Sequence, residues 1–273
     1  MTSKACGILE ASIREYRPIK ALLLFSGGHD SLVSTHIAAD YFREIDFPFE
    51  VYHGDTTICI KETRDFVIQT CDKHEWPLHI GSPSPGETYE DIVMEYGFPG
   101  PNPAAHAIMY RRLKERALRY YVTHVVKSSP RARQNVLLVS GARQSESRIR
   151  MGYKNAVRKE DSRVWTAPIF YFQKRDVEDY MKYWNLTRNK VKDRIGISGE
   201  CLCGCFADKG EYDKLCQHYP GASEEIDRLH EIAKANGKPW FWTQGPKEWE
   251  KLYPEGQAEL FDLGMCSTCS RIS

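Results

Sequence analysis

The fold is decided by the stretch Ile19-Lys20-Ala21-Leu22-Leu23-Leu24-Phe25-Ser26-Gly27-Gly28-His29-Asp30-Ser31. Its apolar half predicts a short buried strand of a parallel sheet, and the helical spacing of the apolar residues after Ser31 predicts a helix. Between them, Gly27 and Gly28 predict a turn whose backbone N–H groups can approach phosphate oxygens without obstruction by a Cβ atom. The stretch is therefore typical of an anion cradle in front of a helix. A plain turn with a helix cap is the alternative.

The spacing of this glycine loop also limits the chemistry. A Walker A motif needs Gly-x-x-x-x-Gly-Lys, and that pattern does not occur here. Transfer of a terminal phosphoryl group is therefore not the favoured reaction.

Two further stretches repeat the pattern of a strand followed by a turn. Residues 49–53 end at Gly54-Asp55-Thr56 and precede a helical stretch over 61–73, and residues 136–140 end at Gly141. Strands that alternate with helices predict an α/β fold, a Rossmann-like parallel sheet flanked by helices, with ligands at the carboxyl ends of the strands. We expect an α/β domain that carries the glycine loop over residues 1–190 and an irregular Cys-rich C-terminal region over residues 191–273.

Composition describes an ordinary globular protein. The 273 residues are 41% hydrophobic and 27% charged, with a net charge of +1, which excludes a disordered scaffold. No apolar run is long enough for a membrane span, and the N-terminus lacks the apolar stretch of a signal peptide. The expectation is a cytoplasmic protein without a membrane partner.

The small net charge hides a basic stretch. Residues 111–163 contain fifteen Lys and Arg against four Asp and Glu. This excess predicts an anion-binding face for nucleotide phosphates or a nucleic-acid backbone. A solvated helix face with loops is the alternative.

Cysteine spacing points to a metal or to redox chemistry. The chain contains Cys201-Leu202-Cys203-Gly204-Cys205, then Cys216, and later Cys266-Ser267-Thr268-Cys269. Four thiolates from such motifs suit either structural zinc or a [4Fe–4S] cluster, and redox-active thiols are a third possibility. We choose Cys201, Cys203, Cys266 and Cys269 as ligands, with Cys205 and Cys216 as substitutes. Cys6, Cys59 and Cys71 are isolated in sequence and are interpreted as ordinary core or surface residues.

Four segments resemble a known superfamily. The run Ser26-Gly27-Gly28-His29-Asp30-Ser31 resembles the Ser-Gly-Gly-x-Asp-Ser signature of PP-loop ATP pyrophosphatases. Three later segments resemble the phosphoadenylyl-sulfate (PAPS) reductase branch of that superfamily, and with the loop they cover residues 20–185. They are Asp55-Thr56-Thr57 with Lys61-Glu62-Thr63 and Phe66; Gly141-Ala142-Arg143 with Glu146-Ser147 and Arg150; and Trp165-Thr166-Ala167-Pro168-Ile169 with Asp176-Val177.

The resemblance implies an adenine nucleotide alpha hydrolase-like fold that binds ATP and Mg²⁺. The resemblance also favours a [4Fe–4S] cluster over zinc at the cysteine site. His29 and His106 are possible acid–base groups, although solvated or loop histidines are the alternative. The implied nucleotide-binding residues are Ser26, Gly27, Gly28, His29, Asp30, Ser31, Asp55, Thr56, Gly141 and Arg143. The implied catalytic residues are Ser26, Asp30, Arg143 and Arg150.

Two departures from the reductases shape the expected function. The helix segment Met109-Tyr110-Arg111-Arg112-Leu113-Lys114 lacks the Cys-Cys pair of cluster-bearing adenylyl-sulfate reductases, and Glu200-Cys201-Leu202-Cys203-Gly204 differs from their Glu-Cys-Gly-x-His nucleophile segment. We therefore expect an ATP pyrophosphatase that adenylates a nucleic acid, most favourably a DNA backbone phosphate, for sulfur incorporation. This activity resembles that of DNA phosphorothioation proteins.

The expected sulfur donor is a cysteine desulfurase, and the resemblance suggests a homodimer. Three other functions stay open. They are reduction of PAPS or adenylyl sulfate to sulfite, thiolation of tRNA, and a non-catalytic role as a nucleotide- or zinc-binding adaptor.

Overall fold

A six-stranded sheet forms the centre of the molecule, which we describe from a computed structural model over residues 2–146 and 155–245. The strands are β1 (Ala21–Leu24), β2 (Phe49–Gly54), β3 (Leu78–Gly81), β4 (Val136–Val139), β5 (Val157–Glu160) and β6 (Arg163–Thr166). Their order is β3-β2-β1-β4-β6-β5, and every neighbouring pair is parallel except β5 and β6. The Rossmann-like fold class predicted from the sequence is confirmed, and the antiparallel edge is an addition to it.

Helices cover both faces of the sheet. They are α1 (Thr2–Tyr16), α2 (His29–Glu44), α3 (Lys61–Lys73), α4 (Tyr89–Tyr96), α5 (Pro103–Tyr110), α6 (Arg116–Tyr121), α7 (Lys174–Tyr183), α8 (Lys190–Ile195), α9 (Glu211–His218) and α10 (Pro220–Ala235). Two π-helical turns, Arg111–Glu115 and Val122–Val126, extend α5 and α6. Among the described residues, no helix combines the length and apolar character needed to cross a bilayer.

The part of the C-terminal region that the structure describes is more regular than we expected. Residues 196–210 contain no helix or strand and carry three of the cysteines, but residues 211–235 form α9 and α10. Apolar side chains at helical spacing explain these helices, because Ile226, Leu229 and Ala233 are fully or almost fully buried. They join one apolar cluster with Ile92 and Val93 of α4. This region therefore packs on the helices beside the sheet.

Candidate active site

An open cleft of about 580 Å³ lies at the carboxyl ends of β1 and β4. The chain leaves β1 towards β2 on one side, and β4 pairs with β1 on the other. In parallel α/β sheets, ligands bind where the strand order reverses in this way. The segments after β1 and β4, together with parts of α7 and α8, line the cleft.

The glycine loop, residues 26–31, forms the floor of this cleft. Gly28 precedes α2 in an extended conformation, and no side chain caps the first turn of the helix. Ser31 Oγ donates to Gly28 O at 2.9 Å and lies 3.0 Å from Ser26 Oγ. The loop therefore presents two hydroxyl groups and the positive end of a 16-residue helix to the cleft. This arrangement suits a phosphate group.

Gly27 gives the loop its sharp turn and brings it close to neighbouring helices. Its φ of 76° lies in the left-handed region, and a Cβ atom at this position would lie 2.8 Å from Thr63 Cγ2. Asn189 Nδ2 donates to Gly27 O at 2.9 Å. The sequence motif alone does not indicate this supporting role of Asn189, because the residue lies 162 positions away.

Gly141 allows the segment after β4 to approach the start of α2. A Cβ atom on Gly141 would lie 2.5 Å from the backbone nitrogen of Ser31. This close approach places Arg143 against Asp30, with Nε 2.7 Å from Oδ1 and Nη2 3.1 Å from Oδ2. Two motifs separated by more than a hundred residues thus meet as a forked ion pair in the cleft.

A second cationic group stands at the mouth of the cleft. Arg188 Nη2 donates to Asp193 Oδ1 at 2.8 Å, Nη1 donates to Glu178 Oε2 at 2.5 Å, and Nη2 lies 3.4 Å from Nδ1 of His29. Burial first, and the Arg188 charge second, lower the pKa of His29, while the two carboxylates partly oppose this shift. The imidazole is therefore neutral near pH 7. Sequence reasoning missed Arg188, because it belongs to none of the motifs and lies 159 positions from His29.

Asp55 and Thr56 lie after β2, but the cleft wall there is formed by Gly54 and Tyr52. Asp55 Oδ1 accepts from the Thr57 N–H at 2.9 Å. Thr56 Oγ1 is 2.9 Å from both Ile58 O and Glu200 O, so it joins two loops. His106 is also buried and does not line this cleft, and its ring lies 4.6 Å from the Phe206 ring.

A buried ion pair supports the cleft wall. Lys114 Nζ lies 2.7 Å from Glu200 Oε2, and the two side chains are 1% and 3% exposed. Glu200 also lines the cleft. Lys114 comes from the first π-helical turn, so the pair connects that helix to the cysteine segment, residues 199–205. Neither residue was chosen from the sequence as a site residue.

The cysteines fall into different surroundings. Cys203 and Cys205 are buried in the apolar cluster beside α4, Cys201 is half-buried, and Cys216 is exposed on α9. No group of three or more His, Cys, Asp or Glu that could hold a metal occurs within residues 2–146 and 155–245. Cys266 and Cys269, together with Arg150, lie outside the described residues.

Cys59 was interpreted as isolated, but it lies close to the cysteine segment. Burial raises the pKa of the Cys59 thiol to about 12, and the charges of Asp55 and Cys201 contribute to the rise. The Cys201 thiol is therefore within electrostatic range of Cys59. Sequence spacing offers no signal for this proximity.

The basic stretch is divided in space. Arg143 lies in the cleft, whereas Lys114 and Arg163 are buried and form ion pairs with glutamates. Arg131 and Arg133 are exposed in the loop that leads into β4, at the opposite edge of the sheet from the cleft. These five cations therefore do not share one face of the molecule, unlike the single anion-binding face that we expected.

Known proteins share the sequence pattern and the fold of this chain. The profile of the family described as phosphoadenosine phosphosulfate reductase domain matches residues 20–198. No curated protein shows a significant match to the chain.

Two solved structures illustrate the likeness. A PAPS reductase from Candida auris in complex with phosphate is 16% identical, with 71% of this chain and 85% of that chain covered at a TM-score of 0.51. An NMN synthetase from Francisella tularensis is 15% identical, with 90% and 97% covered at a TM-score of 0.51. At these identities the likeness shows a shared fold.

Proposed function

The chain belongs to the phosphoadenosine phosphosulfate reductase domain family, and from this membership we propose that it binds ATP in the cleft and cleaves it between the α- and β-phosphates. An acceptor oxygen attacks the α-phosphorus, and the bond to the bridging oxygen breaks. Pyrophosphate leaves, and the adenylylated acceptor oxygen becomes a good leaving group for replacement by sulfur.

One observation carries this proposal. The uncapped start of α2, with Ser26 and Ser31 beside it, lies in the same cleft as the forked Asp30–Arg143 pair. Backbone N–H groups and a helix N-terminus stabilise a phosphate chain, and Arg143 can stabilise charge on the departing pyrophosphate. Gly28, which lines the cleft, gives that phosphate chain room to approach the backbone.

Mg²⁺ fits this site as a companion of the nucleotide. In such sites the ion keeps several waters and binds one or two carboxylates together with phosphate oxygens. The Asp30 carboxylate in the cleft can serve as that protein ligand. When bound, the ion offsets negative charge on the phosphates.

For the acceptor we propose a nucleic acid, with a DNA backbone phosphate as the first choice and a tRNA base as the second. Lys174 and Lys192 line the cleft in addition to the carboxylate-paired Arg143 and Arg188, and these two lysines are the groups suited to a polyanion. Sulfur would come from a cysteine desulfurase, and the chain would act as a homodimer.

A second candidate is reduction of PAPS or adenylyl sulfate to sulfite. The family match favours it, and so does the position of Cys201 directly after Glu200, which lines the cleft. A third candidate, a nucleotide-binding adaptor without chemistry, is less favoured because it leaves the complete glycine loop without a catalytic purpose.

A four-thiolate centre, iron–sulfur first and zinc second, remains part of the proposal. The described cysteines do not fit it by themselves, because they form no group of three. It would need Cys266 and Cys269 together with two cysteines of the cysteine segment, and no step above passes through it. Iron, sulfide and zinc analysis of anaerobically purified protein tests it, and protein with no stoichiometric metal contradicts it.

The deciding experiment measures products. Purified protein is incubated with ATP and Mg²⁺, with and without DNA or tRNA, and AMP and pyrophosphate are measured. In parallel, it is incubated with PAPS or adenylyl sulfate and thioredoxin, and sulfite is measured. AMP and pyrophosphate that increase with nucleic acid support the proposal. Sulfite without ATP cleavage establishes the reductase instead, and neither product favours the adaptor.

A further inference from the structure

A second cavity, of about 210 Å³, adjoins the cleft at the carboxyl end of β4. Ser140 and Ala142 line both spaces, so the segment after β4 forms a wall that they share. The second cavity lies on the β6 side of this wall, because β6 pairs with β4, and the start of β5 pairs with the end of β6. Its other lining residues include Asn155, Ala156, Val157, Trp165 and Phe170.

The lining of the second cavity is mostly apolar and partly aromatic. Alanine and valine side chains supply part of it, and Trp165 and Phe170 supply the aromatic rings. Arg158 lies over the Trp165 ring, 5.2 Å from its centroid, and its charge is opposed by Glu160. Asn155 contributes an amide, which can both donate and accept hydrogen bonds. A flat group with apolar faces and a polar edge matches such a lining.

An exposed tyrosine stands beside the second cavity. The Tyr171 side chain is 59% exposed, and its ring lies 5.1 Å from the ring of Phe170 at an angle of 81°. Backbone hydrogen bonds fix this turn, since Phe170 N donates to Ala167 O and Gln144 N donates to Phe170 O. The turn therefore presents an aromatic ring to solvent on a backbone that is tied to the segment of Arg143.

The aromatic surface continues into a cationic one. Lys174 begins α7 three residues after Tyr171 and lines the cleft. Proteins that bind single-stranded nucleic acid combine cations that follow the backbone with aromatic rings on which bases stack. Aromatic rings beside the second cavity and a lysine in the cleft give both parts of this pattern within one short segment.

From this arrangement we propose that the second cavity holds one unstacked base of a single-stranded nucleic acid, while a neighbouring base stacks on Tyr171. This inference rests on the proposed function, because it specifies how the nucleic-acid acceptor is bound. The sugar and phosphate of the held nucleotide lie towards the shared wall and Arg143. Bases of a duplex must leave their stack to enter such a pocket, which costs free energy. We therefore expect tighter binding of a single strand than of a duplex.

Binding of a fluorescent oligonucleotide in the absence of ATP tests this subsite. Anisotropy titrations compare a short single-stranded oligodeoxynucleotide with its duplex and with an abasic strand of the same length, which keeps the phosphates but lacks the bases. We expect the single strand to bind most tightly. Tyr171→Ala should weaken its binding about fivefold or more, and Tyr171→Phe should restore it, because the ring is retained. Tyr183→Ala, at an 82% exposed tyrosine that lines neither space, should leave it unchanged.

Filling the second cavity gives an independent test. Ala156→Phe should weaken binding of the single strand about fivefold or more and leave binding of the abasic strand and of ATP unchanged, with circular dichroism as the check on folding. Equal affinity for the abasic and the base-containing strand would overturn the subsite. Loss of ATP binding alone in Ala156→Phe would assign the second cavity to the adenine of ATP instead. Because no step uses ATP cleavage, oligonucleotide binding without turnover would count against the proposed function and not against the subsite.

Discussion

The glycine loop forms the floor of the cleft and the cysteine segment reaches its wall through Glu200, but their sequences relate to their structures differently. In the glycine loop, residues five positions apart contact each other, as Ser26 and Ser31 do at 3.0 Å. In the cysteine segment, Cys201 lies within electrostatic range of Cys59, which is far away in the sequence. A site built from backbone N–H groups is encoded locally, whereas a site built from side chains depends on which distant segments meet.

The two regions are connected by Glu200. This residue lies in the cysteine segment, lines the cleft and pairs with Lys114. Its position suggests that the structure of the cysteine segment affects the nucleotide cleft through this ion pair. We expect the loss of this ion pair to have a larger effect than substitutions within either region.

The largest effect is expected for Lys114→Met. The substitution leaves the buried Glu200 carboxylate without its partner, which costs about 3–5 kcal/mol in the free energy of unfolding. Urea denaturation measures this cost. Arg228→Ala is the control, because Arg228 pairs with Glu90 and Glu225 at the surface, where such pairs contribute about 0–1 kcal/mol. Equal losses in the two variants would mean that the buried pair does not anchor the cysteine segment.

Arg143→Ala should impair the glycine-loop side of the cleft most. Removal of one group that stabilises developing charge lowers turnover by about 10²-fold or more, and we expect this loss in the rate of ATP cleavage. Arg143→Lys should recover little, because it keeps the charge but loses the fork that binds Asp30. Arg175→Ala, at an 88% exposed side chain on α7, should leave the rate unchanged. An unchanged rate in Arg143→Ala would contradict the proposed role.

Comparison of Gly27→Ala with Gly86→Ala separates the cost of backbone strain from the cost of steric contact at Gly27 of the glycine loop. Both glycines have positive φ, at 76° and 83°, but only Gly27 has neighbours within 4 Å of an added Cβ atom. Gly86→Ala should cost about 1–2 kcal/mol from the backbone conformation. Gly27→Ala should cost about 1–3 kcal/mol more from steric overlap. Urea denaturation and ATP binding of both variants provide the test, and matching losses would show that Thr63 yields to the added methyl group.

A smaller effect concerns His53 beneath the glycine loop, whose Nδ1 lies 2.8 Å from Phe25 O. Burial, the largest cause, lowers the pKa of His53, so the folded protein holds a neutral imidazole while the unfolded chain takes up a proton near pH 6.5. The stabilisation is complete above that pH and decreases as the pH falls below it.

His53→Gln checks this pH dependence. It should flatten the slope of the free energy of unfolding between pH 7.5 and pH 5.5, by at most about 1.4 kcal/mol per pH unit, the contribution of one proton. His218→Gln, on α9 away from the loop, is the matched control. A slope that His53→Gln leaves unchanged would assign the pH dependence to other histidines.

Several features were predictable from short stretches of sequence. The apolar run before Ser26 and the glycines after it predicted β1, the turn and α2, because periodicity and glycine positions report directly on local conformation. Gly141 and Arg143 were predicted to belong to the nucleotide site, and the structure brings Arg143 into the cleft beside Asp30.

Other features were not predictable from the same patterns. The helices over residues 211–235 were missed, since the glycines, aromatic residues and cysteines around them dominated the local composition. The basic stretch was interpreted as one face, but side chains such as Lys114 and Arg163 turn inward to glutamates. Charge counted along a sequence does not report which side chains face solvent.

The sequence by itself determined the α/β fold, the family and the glycine loop, because strand, turn and helix signals act over a few consecutive residues. The tertiary structure decided which distant groups meet in the cleft or beside it: Arg143 with Asp30, Arg188 with His29, Glu200 with Lys114, and Cys201 with Cys59. These contacts depend on how the sheet packs against the helices beside it. Contacts between side chains far apart in the sequence leave no periodic signal in that sequence.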